Sequence, residues 1–423
     1  MKIIVIGGGG REHAIIKKLK ESPSVDIIYA LPGNGGISAD ALCVDISATD
    51  IEAVVNFSIE QKADFVVVTP DDPLVLGMVD ALEAAGIPCF GPNKNAAIIE
   101  GSKIFAKDLM KKYDIPSAEY QSFDSMERAL KYLDTAPLPT VIKADGLALG
   151  KGVVIAKSLE EARAAVHSIM GDKLFGESGN RIVIEEYLEG PEVSVLSLTD
   201  GKVIIPMISS MDHKRAKDDD TGLNTGGMGA VAPNPYYTKE IAELCMETIF
   251  LPTVNAMNAE NRSFKGCLYF GIMLTPSGPK VIEFNCRFGD PEAQVVLPLL
   301  ESDLLEIMMA SRNGNLSKTE VKFSDSAACC VIMASKGYPE EYKTGFEISL
   351  PDPVLLEGVN IYFAGTKLEN IKLLTNGGRV LGVSAVGDNL RRAVDRAYSA
   401  VKEVSFGNAY YRSDIGRKAL RHN

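Results

Sequence analysis

The chain opens with Lys2-Ile3-Ile4-Val5-Ile6-Gly7-Gly8-Gly9-Gly10-Arg11-Glu12-His13, an apolar run that leads directly into glycines. A short apolar run bounded by glycine is typical of a buried strand, and Ala14, Ile15 and Leu19 beyond it have the spacing of a helix. A strand, a tight turn and a helix form the first half of a βαβ unit. The segment therefore predicts an α/β protein whose N-terminal part is a doubly wound parallel sheet.

The same alternation continues outward to Gly101, where we expect the first domain, residues 1–101, to end. Beyond position 116 the pattern changes to short strands and glycine-rich turns, which favours a second domain at 102–324. Strands and a helix then alternate again, so a small α+β domain is expected at 325–423. The predicted helices are 10–21, 51–61, 73–85, 102–113, 159–170, 241–258, 297–313 and 390–401.

Three further expectations concern the central part of the chain. Residues 139–144 and 152–156 are predicted to form a hairpin, and 181–186, 192–199 and 202–208 to continue the same sheet. Residues 212–229 are charged and rich in glycine, which predicts a loop. Long loops in compact domains often serve as lids or binding loops.

The composition excludes several classes of protein. The chain has 44 basic and 56 acidic side chains and a formal net charge of −12, whereas proteins that grip nucleic acid nonspecifically carry a basic surplus. No apolar run approaches the ~18 residues that a membrane-spanning helix needs. Seven cysteines without a Cys-x-x-Cys pair and only four histidines offer neither a disulfide framework nor a zinc site. We expect a cytoplasmic monomer without nucleic-acid or membrane partners.

Two interpretations of the glycines at 7–10 stay open. Backbone N–H groups at a helix N-terminus attract anions, and glycines let a phosphate approach the backbone. The same residues also suit a plain strand–helix turn. A nicotinamide dinucleotide is disfavoured, because the G-x-G-x-x-G fingerprint beginning at Gly7 requires glycine where Glu12 stands.

A second glycine-rich loop follows a predicted strand that carries Lys143. It contains Gly146, Gly150, Lys151 and Gly152, so two lysines flank a turn that can approach a phosphate. It is not a Walker A loop, because Gly152 stands where Ser or Thr must follow the lysine. Phosphoryl transfer needs cations near the phosphate oxygens and a cover that excludes water, so a nucleotide site is favoured over a simple hairpin.

The densest cluster of chemically useful side chains is Glu283-Phe284-Asn285-Cys286-Arg287. On a strand, alternate side chains share one face, so Glu283, Asn285 and Arg287 are predicted to point together while the other two pack inside. A carboxylate and an amide oxygen suit Mg²⁺, which prefers oxygen ligands shared with substrate phosphates. An arginine one step further suits a carboxylate or a phosphoryl group. The alternative is an exposed polar face of an antiparallel sheet.

Together these segments resemble the ATP-grasp superfamily, and within it the phosphoribosylamine–glycine ligase family. The resemblance spans nearly the whole chain. It rests on GGREHA at 9–14, PGN at 32–34, GSK at 101–103, KADGLA at 143–148, DHKR at 212–215, NTGGMG at 224–229, EFNCRFGDPE at 283–292, NGGRV at 376–380 and YRSDIG at 411–416. Two departures are TPDDPL at 69–74, where the family has Gly-Pro-Glu before Ala-Pro-Leu, and Leu223 in place of a proline.

The resemblance implies a two-lobed ATP-grasp domain at 102–324, with a smaller lid lobe at about 123–192. It also implies a ligase reaction in purine biosynthesis. ATP phosphorylates the carboxylate of glycine, and 5-phosphoribosylamine attacks the glycyl phosphate to give glycinamide ribonucleotide, ADP and phosphate. The expected small molecules are therefore ATP, glycine and phosphoribosylamine, with Mg²⁺ or Mn²⁺ as the metal.

By matching position, the resemblance also implies roles for single residues. The expected ATP ligands are Lys103, Lys143, Gly146, Gly150, Lys151, Gly152, Glu185, Glu186, Tyr187, Leu188 and Glu192, of which 185–188 read adenine and Glu192 the ribose. The expected catalytic residues, which orient glycine and the acyl phosphate, are Asp212, Lys214 and Arg287, and the expected metal ligands are Glu283 and Asn285. The phosphoribosyl group is expected to contact Gly9, Gly10, Arg11, Glu12, Asn34 and Asp290.

Two other functions fit part of the pattern. A ligase similar to biotin carboxylase shares the ATP-grasp features, but its phosphate release depends on bicarbonate and biotin instead of glycine and phosphoribosylamine. A nucleotide-binding regulatory protein with a decayed site is opposed by the complete set of Glu283, Asn285 and Arg287.

Overall fold

The computed structural model describes residues 1–147, 152–352 and 358–422. The strands are β1 (Lys2–Gly7), β2 (Ile27–Pro32), β3 (Leu42–Cys43), β4 (Phe65–Val68), β5 (Cys89–Phe90), β6 (Tyr120–Phe123), β7 (Thr140–Ala144), β8 (Val153–Ala156), β9 (Ile182–Glu186), β10 (Glu192–Thr199), β11 (Ile204–Pro206), β12 (Met211–Asp212), β13 (Arg215–Lys217), β14 (Thr221–Asn224), β15 (Gly229–Ala232), β16 (Gly266–Thr275), β17 (Gly278–Asn285), β18 (Ala327–Ser335), β19 (Val359–Phe363), β20 (Thr366–Glu369), β21 (Lys372–Thr375), β22 (Arg379–Gly387) and β23 (Ala409–Tyr410). The helices are α1 (Gly10–Leu19), α2 (Ile51–Gln61), α3 (Asp71–Leu76), α4 (Met78–Ala84), α5 (Lys94–Gly101), α6 (Lys103–Lys112), α7 (Met126–Leu133), α8 (Leu159–Val166), α9 (Lys239–Cys245), α10 (Leu251–Ala259), α11 (Ala293–Val296), α12 (Leu304–Asn313), α13 (Leu390–Val401) and α14 (Arg417–His422).

The N-terminal strands form one parallel sheet in the order β3-β2-β1-β4-β5, in which Ile3 lies opposite Ile28 on one side and Phe65 on the other. The central strands are continuously apolar because both faces of the sheet are covered, and residues 3–6 are fully buried. Helix α1 begins at Gly10, directly after the glycine turn. The doubly wound sheet predicted from the opening segment is confirmed.

Strands β6, β9, β7 and β8 form a second, antiparallel sheet in that order, and β7 with β8 is the predicted hairpin. The prediction that 192–199 and 202–208 continue this sheet is wrong, because β10 and β11 belong to a separate sheet in the order β11-β10-β16-β17. The chain changes sheets at Gly190 and Pro191. Gly190 has φ +153°, and a Cβ there would lie 2.1 Å from the carbonyl oxygen of Leu274, so only glycine permits this close approach.

Residues 212–229 are not simply a loop, which corrects the sequence prediction. Strands β13 and β14 pair as a hairpin, while β12 and β15 join a C-terminal sheet in the order β12-β15-β18-β22-β19, with β23 paired to β18. Strand β15 has only four small or aliphatic residues, and Gly229 pairs with Val331 far along the chain. Such a short strand does not identify its partner from sequence, because the pairing is decided by burial in the folded protein.

Two predicted helices are interrupted. Helix 73–85 divides into α3 and α4 at Gly77, which has φ +100°. Helix 297–313 restarts as α12 because Asp303 caps it by accepting hydrogen bonds from backbone N–H groups. The other corrections are π-helical turns at His167–Gly171 after α8 and at Met246–Phe250 between α9 and α10. Within the described residues, no helix is long and apolar enough to cross a membrane.

The hydrophobic core connects distant parts of the chain around the N-terminal glycine turn. One buried cluster contains Ile3 and Ile15 near the N-terminus, Val296 of α11, and Ala328 and Tyr362 of the C-terminal sheet. Burying apolar surface contributes roughly 25 cal/mol per Å². This packing therefore holds α1, α11 and β19 beside one another, and so determines what the loops at their ends can contact.

Candidate active site

A cavity of about 970 Å³ is lined by residues of α6, β7, β9 and β17 and by the β13–β14 hairpin. The predicted site residues on its wall are Lys103, Lys143, Gly146, Gly152, Glu185, Glu186, Tyr187, Leu188, Glu192, Asp212, Lys214, Glu283, Asn285, Arg287 and Asp290. Gly150 and Lys151 lie outside the described residues. Within the described part of the chain, the wall does not include Gly9, Gly10, Arg11, Glu12 or Asn34.

A buried carboxylate orients two lysines in the cavity. Oε2 of Glu185 lies 3.0 Å from Nζ of Lys143 and 3.5 Å from Nζ of Lys107. Lys143 also donates to the carbonyl of Ile282 at 3.0 Å, and Lys107 to that of Ala118 at 2.8 Å. Burial lowers the pKa of Lys107 to about 8 despite the nearby carboxylate. The side chain of Glu185 thus orients cations, while its backbone carbonyl accepts the hydroxyl of Thr140 at 2.9 Å.

Helix α6 supplies the next cation. Ser102 caps this helix by accepting a hydrogen bond from the N–H of Phe105. Lys103, at its first turn, donates to the carbonyl of Gly146 at 2.7 Å, and burial lowers the pKa of this lysine. Lys107 was not predicted, although its spacing of four residues from Lys103 puts both on one face of the helix. That spacing was the signal available in the sequence.

Strand β17 presents the carboxylate and the amide that were predicted to bind metal. Glu283 and Asn285 line the cavity and are partly exposed, whereas Phe284, which also borders the cavity, and Cys286 are only 4% and 0% exposed, so the predicted alternation of exposed and buried side chains is confirmed. Oε1 of Glu283 lies 3.7 Å from Nζ of Lys214. The strand therefore directs its polar face into the cleft and its apolar face into the core.

Lys214 connects the β17 face with the start of β10. Its Nζ lies 3.1 Å from Oε2 of Glu192, in addition to its contact with Glu283. Burial favours the neutral amine, but the two carboxylates prevail and raise the pKa of Lys214 well above its ordinary value. Lys214 is therefore a permanent cation between the predicted ribose and metal positions.

The chemistry of Glu283 and Asn285 fits a divalent cation whose coordination is completed by nucleotide phosphates. Burial opposes ionisation, but Lys214, Lys143 and Lys103 hold the pKa of Glu283 below its ordinary value, so the carboxylate is charged at neutral pH. In the described part of the chain, no group of three or more His, Cys, Asp or Glu side chains could hold a metal ion by itself. Mg²⁺ usually binds through one or two carboxylates together with substrate phosphates, which matches this donor set.

An acidic pair, Asp212 and Glu292, lines another part of the cavity. Oδ1 of Asp212 is buried and has no hydrogen-bond partner. Burial and the charge of Glu292 raise the pKa of Asp212 well above its ordinary value, and burial raises that of Glu292. A buried, unpartnered acceptor next to a second carboxylate is suited to an ammonium group. Glu292 had no assigned role in the sequence prediction, although it closes the GDPE turn.

Arg287 is oriented by two carboxylates. Its Nη2 lies 3.1 Å from Oε1 of Glu100 and 3.9 Å from Oδ2 of Asp71, while its Nε is buried without a partner. The other oxygen of Glu100 accepts the N–H of Cys286 at 2.7 Å. Glu100 was not predicted as a site residue, because only the fold brings the end of α5 close to Cys286 and Arg287 after β17. Asp71, where the sequence departs from the family, faces Arg287 on the cavity wall.

Asp290 lies where the cleft meets the N-terminal glycine turn. A Cβ at Gly10 would lie 3.6 Å from Oδ1 of Asp290, and that oxygen also accepts a hydrogen bond from Gln294 at 2.7 Å. Burial opposes ionisation, yet Arg379 and Arg11 hold the pKa of Asp290 below its ordinary value. The structure thus brings this predicted residue close to the predicted phosphoribosyl loop.

Glu12 closes the glycine turn internally. Its Oε2 accepts the N–H of Gly9 at 2.6 Å, and its Oε1 pairs with Nε of Arg11 at 2.6 Å. Arg11 also donates through Nη1 to the carbonyl of Phe288 at 3.1 Å. These contacts position the guanidinium of Arg11 against the turn that precedes Asp290.

Asn34 is likewise occupied by protein partners. Its Nδ2 donates to the carbonyls of Gly8 and Phe363, both at 2.9 Å. Its Oδ1 accepts the backbone N–H groups of residues 36 and 37 and the hydroxyl of Thr366. The side chain therefore ties the glycine turn to the end of β19.

The chain is similar to one family of known proteins over nearly its whole length. Three family models match it: phosphoribosylglycinamide synthetase N domain at residues 1–100, ATP-grasp (A) domain at 101–293 and C domain at 328–418. A phosphoribosylamine–glycine ligase of Caldanaerobacter subterraneus is 47% identical over 98% of this chain and 99% of its own. One of Fusobacterium nucleatum is 46% identical over 98% of both chains.

Solved structures agree with these similarities. The crystal structure of a phosphoribosylamine–glycine ligase from Thermotoga maritima has a TM-score of 0.85 and 31% identity, covering 98% of this chain and 100% of that one. Biotin carboxylase from Campylobacter jejuni has a TM-score of 0.75 but only 13% identity, over 97% and 92% of the two chains. The second likeness concerns the fold alone.

Proposed function

Because the chain belongs to the phosphoribosylglycinamide synthetase family and is an ATP-dependent ligase that joins glycine to 5-phosphoribosylamine in purine biosynthesis, we propose that its cleft activates glycine as a glycyl phosphate. One observation supports this most strongly. The cavity holds buried cations beside Glu283 at one part of its wall and the unpartnered Asp212 at another. These are the complementary charges that a phosphate chain and an amino acid require.

The nucleotide part of the proposal assigns phosphate binding to Lys103 and Lys143, whose orientation by Gly146 and Glu185 precedes binding. Fixed cations stabilise developing phosphate charge without reorganising during the reaction. The backbone of residues 185–188 is proposed to read adenine, and Glu192 the ribose. The glycine-rich loop at 146–152 is proposed to cover the phosphates.

For the metal, we propose Glu283 and Asn285 as the protein ligands, with Mg²⁺ or Mn²⁺ as the ion. The bound ion would neutralise phosphate charge and orient the γ-phosphoryl group. Lys214, which lies between Glu283 and Glu192, is proposed to contact the transferring group from the same side.

For glycine, we propose that Asp212 and Glu292 bind the ammonium group and that Arg287 orients the carboxylate. A carboxylate oxygen attacks the γ-phosphorus, the bond to the bridging oxygen breaks and ADP leaves. The amine of phosphoribosylamine then attacks the acyl carbon, inorganic phosphate leaves with the bonding pair, and the nitrogen loses a proton. Because an acyl phosphate hydrolyses readily, a cleft that excludes water is part of the chemistry.

For phosphoribosylamine, we propose that the backbone of Gly9 and Gly10, the guanidinium of Arg11 and the carboxylate of Asp290 form the subsite. A helix N-terminus favours a phosphate, and α1 begins at Gly10. Glu12 and Asn34 act in this proposal by shaping the loop, because their polar atoms are used internally.

We also propose the division of the chain into 1–101, 102–324 and 325–423, with a lid lobe at about 123–192. A monomeric state and a cytoplasmic location stay predictions from the sequence. Sedimentation of the purified enzyme with and without ATP measures the first of these.

Release of ADP in a coupled assay tests the proposed chemistry. Glycine and freshly prepared phosphoribosylamine are each omitted in turn, and bicarbonate with biotin replaces both in a separate reaction. We expect ADP release to need both glycine and phosphoribosylamine. Release with bicarbonate and biotin alone, or no turnover with all three substrates present, would contradict the proposal.

A further inference from the structure

An arginine of the C-terminal sheet contacts two turns whose residues Gly226 and Asp290 line the cleft. Arg379 begins β22, and its side chain is 21% exposed. Its Nη1 donates to the carbonyls of Gly226 at 2.6 Å and Asp290 at 2.8 Å. Its Nη2 lies 3.3 Å from Oδ2 of Asp290. One guanidinium therefore joins the 226–227 turn to the turn that carries Asp290.

The 226–227 turn is held on both sides by the C-terminal sheet region. The N–H of Gly226 donates to the hydroxyl of Tyr338 at 3.2 Å, while its carbonyl accepts from Arg379. A Cβ at Gly227 would lie 2.7 Å from Oδ1 of Asp212, the buried atom without a partner. The position of this turn therefore sets one wall around the acceptor that is proposed for the ammonium of glycine.

Asp290, the other residue that Arg379 contacts, lies beside the N-terminal glycine turn. Oδ2 of Asp290 lies 3.5 Å from where a Cβ of Gly9 would stand, and Oδ1 lies 3.6 Å from that of Gly10. The backbone carbonyl and a carboxylate oxygen of Asp290 both contact Arg379. A shift of the guanidinium would therefore move the carboxylate that borders the proposed phosphoribosyl subsite.

From these contacts we propose that Arg379 is a positioning residue that sets the distance between the glycine and phosphoribosylamine subsites. The inference rests on the proposed function of the cleft. The reacting nitrogen and acyl carbon belong to different substrates, so the rate depends on how closely the two subsites are held. Arg379 acts through the 226–227 turn and Asp290, and it contributes no group to the reaction itself.

The chemistry of the side chain explains why arginine stands here. Its planar fork reaches two carbonyls and a carboxylate at once, whereas a lysine has one nitrogen and cannot span them. Arg379→Lys retains the charge and loses this geometry. It therefore separates an electrostatic role from a positioning role.

The test measures steady-state kinetics of Arg379→Lys and Arg379→Ala with each substrate varied. We expect kcat/KM for glycine and for phosphoribosylamine to fall together, by about 10- to 100-fold, because misplacement by ~1 Å costs about this much in rate. The KM for ATP is expected to change less than twofold, since Arg379 contacts none of the proposed nucleotide ligands. In Arg379→Ala, guanidinium ion far below unfolding concentrations is expected to restore part of the rate.

Arg396→Lys is the matched control. Arg396 lies on α13 of the same part of the chain, is exposed and donates to the carbonyl of Val386 at 2.8 Å. We expect it to keep wild-type kinetics. The melting temperature of every variant is measured, so that a folding defect is recognised, and Arg379→Lys is the variant expected to keep the fold.

Specific outcomes overturn the inference. An unchanged kcat/KM for glycine and for phosphoribosylamine in a folded Arg379→Lys enzyme would overturn it. An equally large loss of kcat/KM for ATP would also overturn it, because it would indicate general disruption of the enzyme. A loss confined to one substrate would also overturn it, because the turn and Asp290 would then act separately. If the wild-type enzyme itself fails to release ADP with glycine and phosphoribosylamine, the proposed function has failed, and this is visible before any variant is made.

Discussion

The N-terminal glycine turn and the central cleft contain polar side chains of similar kinds, but the two regions use them differently. In the turn, Asn34 has protein partners for its nitrogen and its oxygen. His13 is equally occupied, with Nε2 2.9 Å from Asp40 and Nδ1 accepting the N–H of Phe363 at 2.8 Å. In the cleft, Oδ1 of Asp212 and Nε of Arg287 are buried without partners.

This difference separates side chains that build the protein from those that await a ligand. A buried polar group without a partner costs about 1–3 kcal/mol. Within the described residues, buried side-chain atoms without a partner also occur in Ser197, Tyr237, Gln294, Arg312 and Asn408, but only those of Asp212 and Arg287 lie on the cavity wall, where another molecule can supply the missing bond. By this criterion, we propose that the cleft binds its substrates through side chains. The glycine turn is instead proposed to bind through the backbone at the start of α1 and through Arg11, while Asn34 and His13 support its shape.

The largest expected effect is that of Glu283→Ala. We expect kcat to fall by on the order of 10³-fold, because the carboxylate that is proposed to bind the metal is lost. The melting temperature should stay nearly constant, since Glu283 directs its side chain into the cleft. Steady-state ADP release at increasing Mg²⁺ measures the loss. Glu340→Ala, an exposed glutamate, is the control. Turnover close to wild type at saturating Mg²⁺ would remove Glu283 from the metal site.

Asp212→Asn comes second and tests the unpartnered acceptor directly. We expect kcat/KM for glycine to fall about 100-fold, because a charged bond to the ammonium becomes a neutral one. The free energy of unfolding at neutral pH should rise by about 1 kcal/mol, because the variant no longer buries a carboxylate beside Glu292. A loss of both activity and stability would mean that Asp212 is structural.

The same carboxylate predicts a pH dependence. The pKa of Asp212 is raised by burial and by Glu292, so the neutral acid persists to higher pH than for an ordinary aspartate. As pH falls through this raised pKa, the anion that binds ammonium is lost and kcat/KM for glycine declines. The stability contribution has the opposite sign, because the folded state binds the proton more tightly than the unfolded state. In Asp212→Asn, the decline of kcat/KM for glycine at low pH should disappear. If the decline is unchanged in this variant, it is caused by the titration of another group.

Asn34→Ala tests the N-terminal glycine turn, where the polar atoms of Asn34 have partners within the protein. We expect the free energy of unfolding to fall by about 2 kcal/mol, since several buried hydrogen bonds lose their partner. Chemical denaturation measures this change. The KM for ATP should not change, and Asn56→Ala, at an exposed position of α2, serves as the control. A variant with full stability but a large loss of phosphoribosylamine binding would make Asn34 a direct ligand.

Arg11→Ala has the smallest expected effect. We expect the KM for phosphoribosylamine to rise about tenfold, because one phosphate contact of charged hydrogen-bond strength is lost. The KM for ATP should rise less than this. Varying each substrate at saturation of the others measures both constants. The reverse order of effects would move the phosphoribosyl subsite away from α1.

Several features were predictable because their physical causes are local. The parallel N-terminal sheet follows from apolar runs alternating with helical spacing, and Ser102 caps α6 because its hydroxyl reaches an N–H three residues away. The common face of Glu283 and Asn285 follows from the period of a strand. Each needs only a few neighbouring residues.

Other features were missed because their causes lie far away in the chain. Lys107 becomes part of the cavity through Glu185, and Glu100 orients Arg287 only after α5 reaches the end of β17. Strand β15 could not be recognised because its partner, β18, is distant in sequence. No pattern within a short segment of sequence predicts these long-range contacts.

The amino-acid sequence by itself determined the family, the parallel N-terminal sheet and the motifs that carry the proposed site residues, because periodicity and motif spacing are properties of short segments. The tertiary structure alone decided which polar side chains have hydrogen-bond partners within the protein and which are left without one. Hydrogen-bond satisfaction depends on groups brought together from across the chain, as Arg379 joins the turns at 226–227 and Asp290. A net charge of −12 is consequently compatible with binding anions, since the fold gathers Lys103, Lys143 and Lys214 in one cleft.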